Sequence, residues 1–547
     1  MAKYQELLAS LRNAFPQPVS DPVHDAYFVF SISRALDQVD ALKSQAPIVG
    51  APSQPDWQGA KAARIAADGI SQEEVIRELV SYLEGMFIWG HPRSQVNVVP
   101  PPSIASIIGV LLPTTYNPNL VSEEGGHRIS EAEVRVVSMA ADLVGYNAAQ
   151  ASGLFTFGGT GAMLYAARIG LEKALPGCHQ HGLHDRAVIL ASDGAHYSVL
   201  NVAGWLGLGI DNVILVPTHS DNAINVEALE QAARQQVESG ARIAAIVATM
   251  GTTDAFGIDD LQAIVAMRDR LVDELQLDYR PHVHADAVIG WAWSVFNDYD
   301  FKANELGFRA RTLRALAAAH HELQHLPLAD SIGIDFHKTG YTPYVSSLVL
   351  FRDVDDLQLV ARPRSAMPYL FQSGELHPGM YTLETTRSGT GVMAALANLL
   401  LLGRSGLRVL LGNAVEMAEV LREQIEGRPE LTVLNRENVG PVTLFRAYPP
   451  GTDTFTVKER EMNDPQYADQ LQTGNEYNRR IFNRTHAEAL AGRGVALSLT
   501  DCYRKTDYGQ PMAAIKSYVL SPFCDAEQMQ EVVERVLAAR DAIEAAG

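Results

Sequence analysis

Cysteine is scarce in this chain. Only Cys178, Cys502 and Cys524 occur in 547 residues. They are odd in number and far apart, so neither a disulfide framework nor a cysteine-based zinc spacing follows, and a reducing cytoplasm is the expected setting. Basic residues are in deficit too: Lys+Arg 44 against Asp+Glu 64, a net charge of −20. That balance removes the basic face that nucleic acid or an anionic membrane would need. It describes the surface and does not identify a substrate. No uninterrupted apolar run is long enough to cross a bilayer. The opening residues, Met1 to Leu8, lack the apolar core of a signal peptide. Internal repeats and low-complexity segments are absent.

What is present reads as a globular enzyme, with 47% hydrophobic and 20% charged residues. The length calls for two or three domains. Residues 1–125 read as an N-terminal helical segment that packs on a partner subunit. It includes helices near 30–44, 103–115 and, across its boundary, 130–145. Ser71 to Glu74 supplies a helix N-terminal cap. From about 150 the texture changes. Short apolar, β-branched runs at 187–191, 213–216, 243–248 and 282–285 alternate with helical stretches. Continuous apolar strands between amphipathic helices imply a mostly parallel sheet covered on both faces. This large domain is placed at 126–400. A small α+β domain follows at 401–547, with strands near 431–435, 441–448, 495–501 and 513–520.

Ligands of parallel α/β sheets bind at the carboxyl ends of the strands. Five features fall there. Gly158-Gly159-Thr160 is a turn feeding a helix, whose free N–H groups and dipole suit a phosphate. The same residues also read as an ordinary tight turn. His196 follows the strand 187–191 and offers a flat ring. Gly251-Thr252-Thr253 offers hydroxyls after the strand 243–248. Asp286 ends the strand 282–285, where a buried acid needs a partner. The run Ala329 to Lys338 is an apolar strand ending in a lysine. Desolvation lowers an amine's pKa, and a neutral amine can form an imine with an aldehyde cofactor. Each feature alone has a bland reading, but together they describe a site for pyridoxal 5'-phosphate.

In this order and spacing the residues resemble the group II pyridoxal-phosphate-dependent amino-acid decarboxylases, the aromatic/tyrosine/glutamate group. Ser331, Ile332 and Lys338 match the family's Ser-apolar-five-Lys spacing, and His284 to Ala287 its His-x-Asp-Ala. The resemblance implies an aspartate-aminotransferase-like α/β fold (fold type I) with a seven-stranded, mostly parallel sheet. It implies that Lys338 links to the cofactor, Asp286 holds the pyridine nitrogen and His196 stacks on the ring. Thr253 would lie by the phenolic oxygen, with Gly159, Thr160 and His337 on the phosphate and Ser331 in the cofactor set. Tyr369 is the first choice for the tyrosine that returns a proton, and Tyr381 the second. Val288, Gly161, Thr339 and Ser346 depart from the family pattern. The turn Lys338 to Tyr344 is similar to that of bacterial tyrosine decarboxylases, so an aromatic substrate is expected. The rivals are an acidic amino acid, an aldehyde-forming or aminotransferase-like reaction, and a silent scaffold. A homodimer with sites near the subunit interface is expected. The histidines at 179, 181 and 184, and those at 320, 321 and 325, read as surface groups, so no metal is expected.

Overall fold

The computed structural model describes residues 3–368 and 374–546. Its centre is a seven-stranded sheet made of β1 (Ser152–Thr156), β2 (Ala187–Ser192), β3 (Val213–Val216), β4 (Arg242–Thr249), β5 (His282–Asp286), β6 (Ser331–Asp335) and β7 (Ser347–Phe351). The spatial order is β1-β7-β6-β5-β4-β2-β3. Only β7 runs against its neighbours, β1 and β6. The remaining pairs are parallel. All residues of β2, β5 and β6 are buried, as expected for strands covered on both faces.

The sequence pattern picked out β2 to β6 but not β1 and β7. β1 opens with Ser152-Gly153, which carries no apolar signal. Gly153 has a packing reason, since a Cβ there would sit 2.6 Å from the Val349 carbonyl oxygen of β7. The helix Gly159–Ala174 follows β1 and packs across β4, β5, β6 and β7. It therefore sets its amino end at the carboxyl edge of the sheet.

The helix Thr390–Glu426 joins the large sheet to the C-terminal region, with a break at Gly403, where φ is 56°. By length and composition this helix could cross a membrane. Its middle carries Arg404 and Arg408, however, and both pair with Asp298. It packs on the helices Ile104–Tyr116 and Arg128–Val144 along one side, while Leu400 and Leu401 stay exposed. Beyond it, β8 (Leu431–Val433), β9 (Val442–Ala447), β10 (Ser498–Lys505) and β11 (Pro511–Tyr518) form an antiparallel sheet in the order β10-β11-β9-β8. The helix Ala526–Ala545 packs on this sheet through Met529, Val532, Val533 and Val536, which share a core with Phe445 and Ile515.

The Ser71 cap forms as a full capping box with Glu74. The N-terminal helices bury little. Helix Lys3–Leu11 has no buried residue, and Pro22–Asp40 buries only Ser31.

Candidate active site

The strand register brings the site together. Thr249, the last residue of β4, pairs with Asp286, and Asp286 pairs with Gly333 of β6. The carboxyl ends of three strands thus lie abreast, and a cavity of about 510 Å³ opens over them. Gly159, Thr160, His196, Thr253, Asp286, His337 and Lys338 all line it. Ser331 does not. Its hydroxyl lies inside the sheet, 2.8 Å from a ring nitrogen of each of His282 and His284. Tyr369 lies outside the described residues. Tyr381 packs beside the cluster of Leu154, Tyr165 and Val349 and is absent from the cavity wall.

Lys338 follows β6 and has a side chain 17% exposed. Its Nζ lies 2.9 Å from Asp335 Oδ2. Burial acts to lower the amine's pKa, as expected from its place in the chain. The Asp335 carboxylate and, beyond it, Asp286 outweigh burial, and the pKa is raised. A charged partner three residues earlier thus opposes the effect of burial on the amine. Asp335 is fully enclosed. Burial works against its charge, but Lys338, His337 and the Ser347 hydroxyl keep its pKa below the ordinary value. Ser347 donates to Asp335 Oδ1 at 2.5 Å.

Asp286 is pushed up to about 6, mainly by burial, with the Lys338 charge opposing. It is an acid positioned to pair with a cationic nitrogen and lacking one of its own. His196 is held below its usual pKa by burial and then by the Lys338 charge. Its Nδ1 accepts from the Ser198 N–H at 3.2 Å. That places the ring proton of neutral His196 on Nε2.

The turn Gly158-Gly159-Thr160 requires glycine at two places. Gly158 has φ of 124°. A Cβ on Gly159 would sit 2.9 Å from Val288 Cγ1 and 3.2 Å from Asp335 Oδ2. Within the first turn the Gly161 N–H donates to the Gly158 carbonyl at 2.8 Å, which leaves those of Gly159 and Thr160 available to an anion. The departures from the family pattern find local reasons. The Val288 methyl fits beside Gly159 and Gly333. A Cβ on Gly161 would meet Thr156 Oγ1 at 2.2 Å. Thr339 donates to the Ile289 carbonyl at 2.8 Å, and Ser346 donates to that of Gly391 at 2.7 Å.

Several site residues escaped the sequence reading. Cys502 and Tyr503 of β10 reach the cavity from the small domain, and Asp193 and Asp254 also line it. Asp254 is clamped by Lys516 at 2.7 Å and by the Thr500 hydroxyl at 3.0 Å, which ties the small domain to the turn bearing Thr253. Only the Asp335 role left a trace in sequence, as an acid at i−3 from the lysine.

The residues present fit pyridoxal phosphate: a glycine cradle with free N–H groups, an unpaired buried acid, a flat ring and an enclosed amine. The profile of the pyridoxal-dependent decarboxylase conserved domain matches residues 70–447. An aspartate 1-decarboxylase of Aliivibrio fischeri is 29% identical over 308 residues, covering 54% of this chain and 49% of that protein. The chain thus spans about half the length of that relative. An L-2,4-diaminobutyrate decarboxylase of Rhizobium meliloti is 26% identical over 388 residues, covering 69% and 70%. The crystal structure of Oryza sativa TDC with PLP and tryptamine superposes with a TM-score of 0.77 at 17% identity, covering 96% of this chain and 99% of that one. The match to the decarboxylase profile covers the whole seven-stranded sheet and every residue proposed for the cofactor, and the chain belongs to the pyridoxal-dependent decarboxylase family.

Proposed function

We propose that the chain is a pyridoxal-phosphate-dependent L-amino-acid decarboxylase, releasing CO₂ and a primary amine. One observation carries this reading: Lys338, Asp286, His196 and the Gly159-Thr160 cradle converge on one cavity. When bound, the cofactor supplies an electron sink for the pair left behind as CO₂ departs. The residues of the chain do the rest. Asp286 keeps the ring nitrogen positive, which strengthens that sink. Lys338 would hold the cofactor through its amine, and Asp335, at 2.9 Å, would hold or take that amine's proton. His196 lines the cavity and would offer its ring to the cofactor's face, and Gly159 and Thr160 would offer N–H groups to the phosphate.

An aromatic substrate is favoured by the turn Lys338 to Tyr344 and by the charge of the cavity. Asp193, Asp254, Asp286 and Asp335 line it, and among the described residues Lys338 is the only lysine or arginine that does. An acidic side chain would find repulsion there. A second reading has a specific observation behind it. Asp193, exposed at the cavity wall, would pair with a substrate that carries a second amine, as the Rhizobium relative's name implies for that protein.

The protein is proposed to work as a homodimer. The helix Ile104–Tyr116 exposes Ile104, Ile107, Ile108, Leu111 and Leu112 along one face, an apolar stripe of the kind that partners cover. Light scattering during gel filtration tests this directly.

Borohydride reduction of the cofactor-loaded protein should fix the label on Lys338; a label elsewhere sinks the assignment. A panel of amino acids including tyrosine, L-DOPA, glutamate, aspartate and 2,4-diaminobutyrate, scored for amine and CO₂, decides the substrate. No turnover on any member would sink the decarboxylase reading.

A further inference from the structure

A row of polar groups inside the sheet has no part in the reading above. His284 Nδ1 lies 2.8 Å from Ser331 Oγ, and that oxygen lies 2.8 Å from His282 Nε2. His282 Nδ1 lies 3.4 Å from Lys173 Nζ, which Asp356 anchors at 2.7 Å. His282, His284 and Ser331 are at most 1% exposed, whereas the Lys173 side chain is 28% exposed. The row therefore runs from the outside of the protein to the middle of β5.

Its proton order follows from chemistry. An ammonium has donors and no acceptor. His282 Nδ1 must meet it with a lone pair, so the His282 proton sits on Nε2. That N–H donates to Ser331 Oγ. The single serine proton is then left for His284 Nδ1, which accepts it. The His284 proton is thereby placed on Nε2. Burial favours neutral rings throughout, pushing His284 down to about 3 and His282 well below its ordinary value. No second proton disturbs the order.

His284 stands two residues before Asp286 on β5, so the two share a face of the sheet. His284 Nε2 lies 3.5 Å from the point that a Cβ on Gly333 would take, and Val288 Cγ1 reaches the same point at 3.5 Å. Gly333 is the register partner of Asp286, and Val288 lines the cavity.

We propose that His284 is a positioning residue that presents an Nε2–H donor towards the Asp286 side of the site, and that Lys173 dictates this orientation through His282 and Ser331. No hydrogen bond joins the two side chains, so the donor would favour the ionised form of Asp286, the form the ring nitrogen needs, through space. This consequence rests on the decarboxylase reading, whereas the proton order rests on the row alone. A row that served only to fill space would be indifferent to which nitrogen carries the proton.

The test is nitrogen-15 NMR of the full-length protein with labelled histidine, assigned with His284→Gln and His282→Gln. His284 should show a protonated Nε2 and a bare Nδ1. Lys173→Met should shift His284 towards the other tautomer, and Lys173→Arg should keep the original. Ser331→Ala makes the same break from within and serves if Lys173→Met folds poorly. A proton on His284 Nδ1 in the unaltered protein, or a His284 signal indifferent to these breaks, overturns the proposal. In the cofactor-loaded protein, the pH at which the visible band titrates should move in Lys173→Met and return in Lys173→Arg; a band that stays put overturns the link to Asp286. Failure to take up pyridoxal phosphate would count against the functional reading and leave the NMR result standing.

Discussion

Asp335 Oδ2 lies 2.9 Å from Lys338 Nζ, within a single turn of chain at the end of β6. The pair turns an otherwise unexplained acid into the counter-ion of the reactive lysine. His337 Nε2 approaches the same oxygen at 3.5 Å, and Ser347 holds the other oxygen. In the cofactor-free site Asp335 thus raises the Lys338 pKa against the lowering effect of burial.

Replacing Asp335 with Asn should make Lys338 more reactive at low pH. The raised pKa depends first on the Asp335 charge, so removing it leaves burial to dominate. The measurement is the pH profile of Lys338 modification by an amine reagent in cofactor-free protein, read by mass spectrometry. The profile should move to lower pH; an unmoved profile would show that Asp335 is not the controlling charge.

Asp286→Asn should stabilise the cofactor-free protein at pH 8 while nearly abolishing turnover. The folded pKa of Asp286, about 6, stands above its ordinary 3.8. A raised acid contributes stability that is fully present below the unfolded pKa and is lost as pH rises through the folded value. The advantage of Asn should thus grow between pH 4 and about 6 and then level off, at about 3 kcal/mol or less. Melting curves across that window decide it. A difference between the two proteins that stays constant with pH would count against a strained Asp286.

Gly161→Ala should destabilise the fold by about 1–3 kcal/mol through overpacking. The new Cβ would meet Thr156 Oγ1 at 2.2 Å, a hydroxyl that is itself buried without a partner. Thr156→Ala in the same chain should restore part of the loss, giving a favourable coupling in a double-mutant cycle by denaturant unfolding. Additive effects would mean the clash is relieved elsewhere.

Arg387→Met should cost about 3–5 kcal/mol, because it strands Glu133 in the interior. Arg387 pairs with Glu133 and donates to the carbonyls of Leu120 at 2.9 Å and Phe155 at 3.0 Å, so it ties the N-terminal segment to β1. Changing Glu133→Leu together with Arg387→Met should cost less than Arg387→Met alone. Urea unfolding of the three variants tests both statements, and equal stabilities of single variant and parent would refute the first.

Much of the fold was readable because its strands are buried on both faces. Runs such as Ala187 to Ala191 and Ile243 to Ala248 are continuously apolar, as a covered parallel sheet requires. β1 and β7 escaped because their reason lies in pairing: Gly153 is a glycine for the sake of the Val349 carbonyl. The helix Thr390–Glu426 breaks at Gly403, where the backbone leaves helical angles.

By itself the sequence determined which chemical groups the site owns: Lys338, Asp286, His196, Thr253, His337 and the Gly159-Thr160 turn. It did so because each sits beside a strand end, and strand ends of such sheets converge. The tertiary structure alone decided their charges and their neighbours. Asp335, folded against Lys338, raises a pKa that burial would lower. Ser331 faces two histidines inside the sheet and not the cofactor cavity. Cys502 and Tyr503 reach the cavity from 164 residues or more beyond the lysine, brought there by the Lys516–Asp254 clamp between the two sheets. Electrostatics and long-range packing depend on distance in space, and local sequence pattern carries no record of that distance.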